Sequence, residues 1–197
     1  MGVVLIGGGG HCRSCVDVLE SLGENIKGVV DKDSVEMWLL PYLGQDEVLV
    51  PLSKEGHVGL VTVGQVRSPD VRIRLWEKLS SLGMEAPAYI SPHARVSPHA
   101  EVGEGTVVMH GAVVNAGAVI GKNCIINSQS LVEHDSQVGD HSHISTGTIL
   151  NGEVRVGNGS FVGSGSVVRE CLTVGDRCLI GMGQVIKQSV PDGGKRV

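Results

Sequence analysis

The second half of the chain carries an aliphatic residue at every sixth position. The series begins at Ile90 and runs without interruption to Ile186. Neither the 3.6-residue period of an α-helix nor the two-residue period of a β-strand gives this spacing. A chain that coils around a triangular prism does give it, because each six-residue unit then forms one short strand with one inward side chain. The pattern predicts a parallel β-helix in which three units make one coil of eighteen residues.

A second position of the repeat is restricted in size. Four residues after each aliphatic position, over most of the series, the side chain is small, as a tight corner of the prism requires. We therefore expect the cysteine in this set to have a packing role. The set is Ala94, Ala100, Thr106, Ala112, Ala118, Cys124, Ser130, Ser136, Ser142 and Thr148.

The first 84 residues follow a different pattern, in which short apolar runs alternate with helical periodicity. Such alternation predicts a small parallel sheet with helices, a Rossmann-like α/β arrangement. We divide the chain into residues 1–84, a nucleotide-sugar-binding domain, and residues 85–197, the β-helix. The predicted elements of the first domain are strands at 3–6, 26–30 and 59–63 and helices at 11–22 and 71–82, with a linker at 84–89.

Composition narrows the possible partners. The net charge is −5, which disfavours a nucleic-acid partner because phosphate binding needs a basic surface. No apolar run approaches the ~20 residues of a membrane span, and no leader-like segment opens the chain. Five cysteines without framework spacing indicate reduced thiols, and the pair Cys12 and Cys15 is predicted to be structural. These features favour a cytoplasmic protein.

Residues eighteen apart are vertical neighbours in such a β-helix, so the sequence can be read as a map of contacts. His134 stacks between Ala116 and Gly152, and Glu133 stacks beside it. Only the aliphatic and corner positions face inward. We therefore expect His134 to point outward, where a second subunit can reach it.

The run Glu133-His134-Asp135 has a chemical use. A carboxylate beside a histidine fixes its tautomer and raises its basicity, which leaves the other nitrogen free to accept a proton. The amide of Gly152, one coil away, could stabilise a developing oxyanion. A general base and an oxyanion donor without an activated nucleophile indicate direct acyl transfer from a thioester. The alternative interpretation of the same run is a solvated charged surface.

The N-terminal domain carries a second group of candidate residues. Gly7–Gly10, Asp31 and Gly64 all fall at carboxyl ends of predicted strands, where open α/β sheets bind ligands. A glycine-rich loop that opens a helix suits a diphosphate, because the backbone can approach closely and helix N-termini favour anions. The four glycines do not form a complete dinucleotide-binding fingerprint.

Three segments together resemble one protein family. They are residues 5–11 (LIGGGGH), residues 132–135 (VEHD) and residues 139–145, which contain Gly139, Asp140 and His143. With the six-residue repeat, they resemble hexapeptide-repeat sugar acyltransferases, which include sialic acid O-acetyltransferases and UDP-4-amino-sugar N-acetyltransferases. The resemblance implies a left-handed β-helix, an exception to the usual right-handed crossover. It also implies a homotrimer that binds acetyl-CoA between adjacent β-helices.

The resemblance also implies roles for individual residues. His134 corresponds to the general base, Asp135 orients it, and Glu133 completes the predicted catalytic group. His143 corresponds to a residue near the acceptor, and Gly152 supplies the amide to the thioester carbonyl. The predicted cofactor-binding residues are His143, Asn151, Gly152, Ser164 and Gly181, and the predicted substrate-binding residues are Gly8, Gly9, Gly10, His11, Asp31, Lys32 and Gly64.

We therefore predict an acetyl-CoA-dependent N-acetyltransferase acting on a UDP-4-amino-4,6-dideoxysugar in bacterial glycan or nonulosonic-acid biosynthesis. One alternative is O-acetylation of a sialic-type sugar, and another is a non-catalytic scaffold. A third is a β-helix carbonic anhydrase with zinc held by three histidines between subunits. By resemblance, that enzyme needs two histidines five residues apart, whereas His134, His141 and His143 give gaps of 7, 9 and 2. We accordingly expect no metal.

Overall fold

A computed structural model of the chain describes residues 1–34 and 40–197. The N-terminal part contains a four-stranded parallel sheet with strand order β3-β2-β1-β4. Its elements are β1 (Val3–Ile6), α1 (Gly10–Ser21), β2 (Ile26–Val30), β3 (Tyr42–Gly44), a 3-10 turn (Asp46–Val48), α2 (Leu49–Lys54), β4 (Val58–Val61) and α3 (Asp70–Ser81).

The rest of the chain forms a left-handed parallel β-helix with three flat sides. We name its sides the seven-stranded, six-stranded and five-stranded sheets, and each strand is two residues long. The seven-stranded sheet contains β5 (Tyr89–Ile90), β8 (Val107–Val108), β11 (Ile125–Ile126), β14 (His143–Ile144), β17 (Phe161–Val162), β20 (Leu179–Ile180) and β22 (Lys195–Arg196). The six-stranded sheet contains β6 (Arg95–Val96), β9 (Val113–Val114), β12 (Leu131–Val132), β15 (Ile149–Leu150), β18 (Val167–Val168) and β21 (Val185–Ile186). The five-stranded sheet contains β7 (Glu101–Val102), β10 (Val119–Ile120), β13 (Gln137–Val138), β16 (Arg155–Val156) and β19 (Thr173–Val174).

The predicted period and register are both confirmed. Strands pair in parallel with partners eighteen residues away, for example Ile126 with Ile144 and Val132 with Leu150. From Val108 to Ile186, each aliphatic residue of the series is at most 4% exposed, and together these residues form the core of the prism. Burial of apolar side chains from every coil in one continuous column is what holds the β-helix together.

Some of the small corner residues also form hydrogen bonds between neighbouring coils. The Ser136 hydroxyl donates to the carbonyl oxygen of Asn151 (2.9 Å) and accepts from the main-chain N–H of Val154 (3.1 Å). Ser142 bridges Gly157 and Ser160 in the same way. A buried hydroxyl with both of its hydrogen bonds satisfied locks one coil to the next. The sequence pattern predicted the size of these residues but not this cross-linking.

The two parts of the chain are packed tightly against each other. Tyr89, Val107 and Ile125, on the outer face of the seven-stranded sheet, share one hydrophobic cluster with α1 and β1. In addition, the guanidinium of Arg72 is fully buried and donates to the carbonyl oxygens of Val61, Val63 and Asn123. The N-terminal part therefore covers strands β5, β8 and β11 of the seven-stranded sheet, which fixes the position of any site on that part relative to the prism.

The predicted elements of the N-terminal part are found within two residues of their observed ends. The structure adds β3 and the short helix α2, which the pattern did not predict. The predicted linker begins with Met84, which is buried at 5% exposure, so this connection is anchored. In the described parts of the chain, no helix has the length and apolar character needed to cross a bilayer.

The inward register can be tested with two matched valine substitutions. Val168 is fully buried in the prism core, whereas Val119 lies on the outer face of β10 and is 39% exposed. We expect Val168→Ala to lower the free energy of unfolding by about 1.5–3 kcal/mol, since it loses two methyl groups and leaves a cavity. Val119→Ala should change it by less than about 0.5 kcal/mol. Denaturant unfolding measures both, and equal losses would contradict the register.

Candidate active site

The His134 side chain stands at the corner between the six-stranded and five-stranded sheets. The turn after β12 places Asp135 in the left-handed backbone region, at φ 59°. This conformation costs a residue with a side chain roughly 1–2 kcal/mol, and several other corners have glycine there. This backbone conformation directs the Asp135 carboxylate towards the imidazole of His134. His134 Nδ1 donates to Asp135 Oδ2 over 2.9 Å. The other ring nitrogen, Nε2, is left to accept a proton.

The Glu133 side chain also stabilises the turn that carries His134. Its Oε2 accepts a hydrogen bond from Asn115 Nδ2, one coil below, over 2.8 Å. The same oxygen accepts the main-chain N–H of His134 over 3.3 Å. Glu133 therefore bridges two coils and positions the backbone that carries the histidine.

The predicted neighbour of His134 is found where the stacking places it. A Cβ atom added to Gly152 would lie only 2.7 Å from His134 Nε2, so the imidazole rests directly against this glycine. Within the described residues, the Gly152 N–H donates no hydrogen bond. Its turn is tied to that of His134 by the Ser136 hydroxyl and by a bond from the Glu153 N–H to the His134 carbonyl oxygen (3.0 Å). An imidazole nitrogen and a free amide thus share one small space.

Acidic groups surround this imidazole. The hydrogen bond to Asp135 raises the pKa of His134, and the charges of Asp135, Glu133 and Glu153 raise it further, while desolvation opposes them. The site is a cavity of about 440 Å³, whose walls also include Glu170. His134 is accordingly a stronger base than a free histidine and lies in an open, negatively charged pocket.

The other predicted cofactor-binding residues lie in three places. Asn151 lines the same cavity as His134 and Gly152, and its Nδ2 donates to the Val168 carbonyl oxygen (2.8 Å). Ser164 and Gly181 lie at the corner between the seven-stranded and six-stranded sheets. Within one chain they are therefore at the opposite edge of the six-stranded sheet from His134.

His143 lies on the seven-stranded sheet and is buried under the N-terminal part. Its Nδ1 is 2.7 Å from the carbonyl oxygen of Gln65, and its Nε2 is 3.0 Å from Asn127 Nδ2. Burial lowers the pKa of His143 to about 4. The ring lies 5.2 Å from that of Phe161, its neighbour one coil above, in an edge-on contact. His143 is thus neutral near pH 7 and is not in the His134 cavity of the same chain.

The N-terminal candidate residues surround a larger cavity of about 660 Å³ at the carboxyl edge of the four-stranded sheet. Its walls include Gly9, Gly10, His11, Asp31, Lys32 and Gly64, all of them predicted. Asp31 Oδ2 accepts the Gly8 N–H over 2.6 Å, so the carboxylate shapes the glycine loop. The loop leads into helix α1 at Gly10, with its N-terminus beside the cavity. Close backbone approach and a helix N-terminus suit a diphosphate.

His11 connects this cavity with the prism. Its ring centroid is 6.4 Å from that of His143, and its Nε2 is 3.5 Å from Cys15 Sγ. Burial, with the nearby charge of Arg72 and the neighbouring His143, lowers the pKa of His11 to about 3. Cys15 and Cys12 are themselves fully buried in the hydrophobic core, in agreement with their predicted structural role.

Two sets of polar residues at these sites were not predicted from the sequence. Gln45, Asp46, Glu47 and Arg74 line the larger cavity. The first three follow β3, and without that strand nothing in the sequence indicated that they reach the site. The second set is the junction between the two parts, where Arg72 and Asn123 pair through their side chains (2.8 Å). An arginine in an amphipathic helix gives no sequence signal of burial.

The three histidines that were compared with the zinc-binding pattern do not come together within one chain. His141 lies at the corner between the five-stranded and seven-stranded sheets, so His134, His141 and His143 occupy different places on one chain. Across residues 1–34 and 40–197, no group of three or more histidine, cysteine, aspartate and glutamate side chains could hold a metal ion.

Comparisons with known proteins agree with this organisation. Residues 2–79 match the PglD N-terminal domain family, and residues 117–152 match the bacterial transferase hexapeptide family. A search of curated proteins gave no match.

Solved structures match over the whole length of the chain. A variant of perosamine N-acetyltransferase from Caulobacter crescentus, in complex with CoA and GDP-perosamine, is 34% identical, with a TM-score of 0.94 over 99% of this chain and 92% of the other. The acetyltransferase domain of PglB from Neisseria gonorrhoeae, in complex with acetyl coenzyme A, is 35% identical, with a TM-score of 0.90 over 98% and 94%. The chain therefore belongs to the hexapeptide-repeat sugar acyltransferase family and is an acetyltransferase that takes its acyl group from acetyl-CoA.

Proposed function

We propose that this acetyltransferase acetylates the amino group of a nucleotide-linked 4-amino-4,6-dideoxysugar, in bacterial glycan or nonulosonic-acid biosynthesis. The observation that carries the proposal is the His134–Asp135 pair, whose free Nε2 faces the Gly152 amide. The perosamine N-acetyltransferase of Caulobacter crescentus, which binds a nucleotide-linked amino sugar, supports the substrate class.

The chemistry is one direct transfer. The amine nitrogen of the sugar attacks the thioester carbonyl carbon, and His134 Nε2 accepts a proton from that amine. The Gly152 N–H stabilises the oxyanion that forms, and Asp135 stabilises the imidazolium. As the intermediate collapses, the new C–N bond remains, the C–S bond breaks, and CoA leaves as a thiol after taking up the proton. No covalent acyl-enzyme is required.

The charge of the cavity favours an amine acceptor over a sialic-type sugar. Glu133, Asp135, Glu153 and Glu170 surround His134 or line its cavity. An amino sugar approaches as an ammonium ion, which these carboxylates attract, and it loses one proton to solvent before the free amine attacks. A sialic-type sugar carries a carboxylate that they repel. We therefore place N-acetylation ahead of O-acetylation.

We propose a homotrimer, which the positions of the two cavities support. The N-terminal part packs on the first strands of the seven-stranded sheet, while His134 stands at the corner opposite that sheet, so the prism separates the two sites within one chain. The six-stranded sheet offers a surface for a neighbouring chain, because its outer face is a row of aliphatic side chains. They are Val113, Leu131, Ile149, Val167 and Val185.

This packing would also bring the two groups of predicted CoA residues together. His134 and Ser164 flank opposite edges of the six-stranded sheet, so residues from two chains would line one groove. We therefore propose that acetyl-CoA binds between adjacent β-helices. The five cysteines are all free and four are buried, which supports a reducing compartment and a cytoplasmic location.

The nucleotide of the acceptor has two candidates. The sequence resemblance predicts a UDP-linked sugar, whereas the relative from Caulobacter crescentus binds a GDP-linked one. The acceptor is therefore tested as both a UDP-linked and a GDP-linked sugar.

The proposed base can be tested with acetyl-CoA and UDP- and GDP-linked 4-amino sugars, by colorimetric detection of the free CoA thiol. We expect His134→Gln to lower kcat by about 10²–10⁴-fold, since glutamine can hydrogen-bond but cannot accept the proton. His99→Gln, on an exposed histidine of the first coil, is the matched control and should keep normal turnover. Normal turnover of His134→Gln would refute the assignment, and no thiol release by the wild type with either sugar would refute the function.

The pH dependence of the rate reports the Asp135 contact. Because the base must be unprotonated, kcat/KM should rise with pH through the raised pKa of His134 and then level off. Asp135→Asn removes the largest cause of that shift, so the midpoint should move to lower pH and the plateau should fall. Glu153→Gln should move the midpoint less, since Glu153 contributes least to the shift. Titration of the acceptor amine is common to all variants, and an unchanged midpoint in Asp135→Asn would contradict the pairing.

If acetyl-CoA binds between two chains, a substitution that separates the chains should also abolish activity. Val167→Asp places a charge in the middle of the aliphatic row, far along the chain from His134. We expect light scattering on a sizing column to show a trimer for the wild type and a monomer for Val167→Asp, with loss of thiol release. Thr173→Asp, at an exposed position on the five-stranded sheet, is the control and should remain trimeric and active. An active monomeric wild type would contradict the model of a shared site.

A further inference from the structure

The larger cavity extends along the carboxyl edge of the four-stranded sheet, from the residues that follow β4 to those that follow β3. The carboxyl ends of the strands follow the order β4, β1, β2, β3. Gly64 follows β4 and His11 follows β1, and the His11 ring lies 6.4 Å from His143 of the prism. Residues 45–47 follow β3, at the opposite edge. If the transferred sugar lies towards the prism and the diphosphate against the glycine loop, the nucleobase lies beside residues 45–47.

The groups at this far end are predominantly hydrogen-bond acceptors. Gln45 donates its Nε2 to the Lys32 carbonyl oxygen over 2.8 Å, and its Oε1 has no donor among the described residues. The Asp46 carboxylate pairs with Lys78 Nζ over 2.8 Å. The Glu47 carboxylate lines the cavity and has no hydrogen bond or ion pair with any residue that the structure describes. Gln45 and Glu47 are exposed to solvent, so this end favours a ligand that offers hydrogen-bond donors in place of water.

We infer that the cavity selects a guanine base and that Glu47 is the residue that recognises it. The inference rests on the proposed function, which places a nucleotide in this cavity. Guanine presents N1–H and the N2 amino group side by side, and one carboxylate accepts from both in a charge-assisted pair. Uracil presents a single N3–H between two carbonyl oxygens, whose lone pairs would face the Glu47 and Gln45 acceptors.

The remaining polar groups of the cavity suit the other parts of the same ligand. Asp31 is engaged with the Gly8 N–H, so one of its oxygens is already used. Lys32 and Arg74 line the cavity and supply positive charge for the diphosphate or for the O6 oxygen of guanine. Among the residues that the structure describes, Glu47 is thus a carboxylate of this end with neither oxygen engaged. This inference differs from the uridine nucleotide that the sequence predicts.

The test measures the affinities of GDP and UDP for the full-length protein by titration calorimetry. We expect the wild type to bind GDP about 10- to 100-fold more tightly than UDP, the range of a good bidentate base contact. Glu47→Gln, which keeps the shape but loses the charge and one acceptor, should abolish most of this preference by weakening GDP alone. The matched control is Glu20→Gln, on the exposed face of α1, which should retain the wild-type preference.

The outcomes separate this inference from the proposed function. Equal binding of the two nucleotides, tighter binding of UDP, or an unchanged preference in Glu47→Gln would overturn the guanine assignment and leave the acetyltransfer reaction intact. Binding of neither nucleotide, together with no thiol release from either sugar, would overturn the nucleotide-linked acceptor and this inference with it.

Discussion

The register of eighteen residues per coil is the constraint on which the active site depends. It is enforced from inside by the buried aliphatic column and at the corners by hydroxyls such as that of Ser136. The turn that carries His134 is also tied at its backbone, since the Asp135 N–H donates to the Ala116 carbonyl oxygen (3.1 Å) and the His134 carbonyl oxygen accepts from the Glu153 N–H. A slip of one residue would turn the whole strand over. The proposed base and its facing amide are therefore held in place before any substrate binds, which is the condition for electrostatic stabilisation at low reorganisation cost.

The surroundings of the three candidate histidines shift their pKa values in different directions. The pKa of His134 is raised by carboxylates at an exposed corner, whereas burial near Arg72 lowers the pKa of His11 to about 3 and that of His143 to about 4. Near neutral pH the last two are uncharged, so they can orient a ligand by hydrogen bonding but retain little basicity. Groups whose surroundings move their pKa values apart usually divide acid–base work from positioning. This separation supports His134 as the proton acceptor.

The sequence was sufficient for the prism and for the pairing of His134 with Gly152, because one strict period determines both inward direction and vertical neighbours. It failed where the signal is short or non-local. Strand β3 has three residues and follows Pro41, and helix α2 has six residues and contains Pro51, so neither shows a usable period. Missing β3 also concealed Glu47, since the edge at which residue 47 emerges is defined only by that strand. The burial of Arg72 depends on carbonyl groups from two parts of the chain, which no local pattern reveals.

The division of the two cavities between opposite sides of one prism would give the proposed trimer a role in the reaction. The sheet that carries His143 faces the N-terminal part, which holds the larger cavity, and the corner that carries His134 faces away from it. An acceptor held in the cavity of one chain would have to pass through a packed core to reach the base of that chain. A neighbouring prism, docked on the aliphatic row of the six-stranded sheet, offers its own corner instead. Catalysis would then require folding and association together, and residues that only shape the outer faces of the prism would control the rate as strongly as those that touch the substrate.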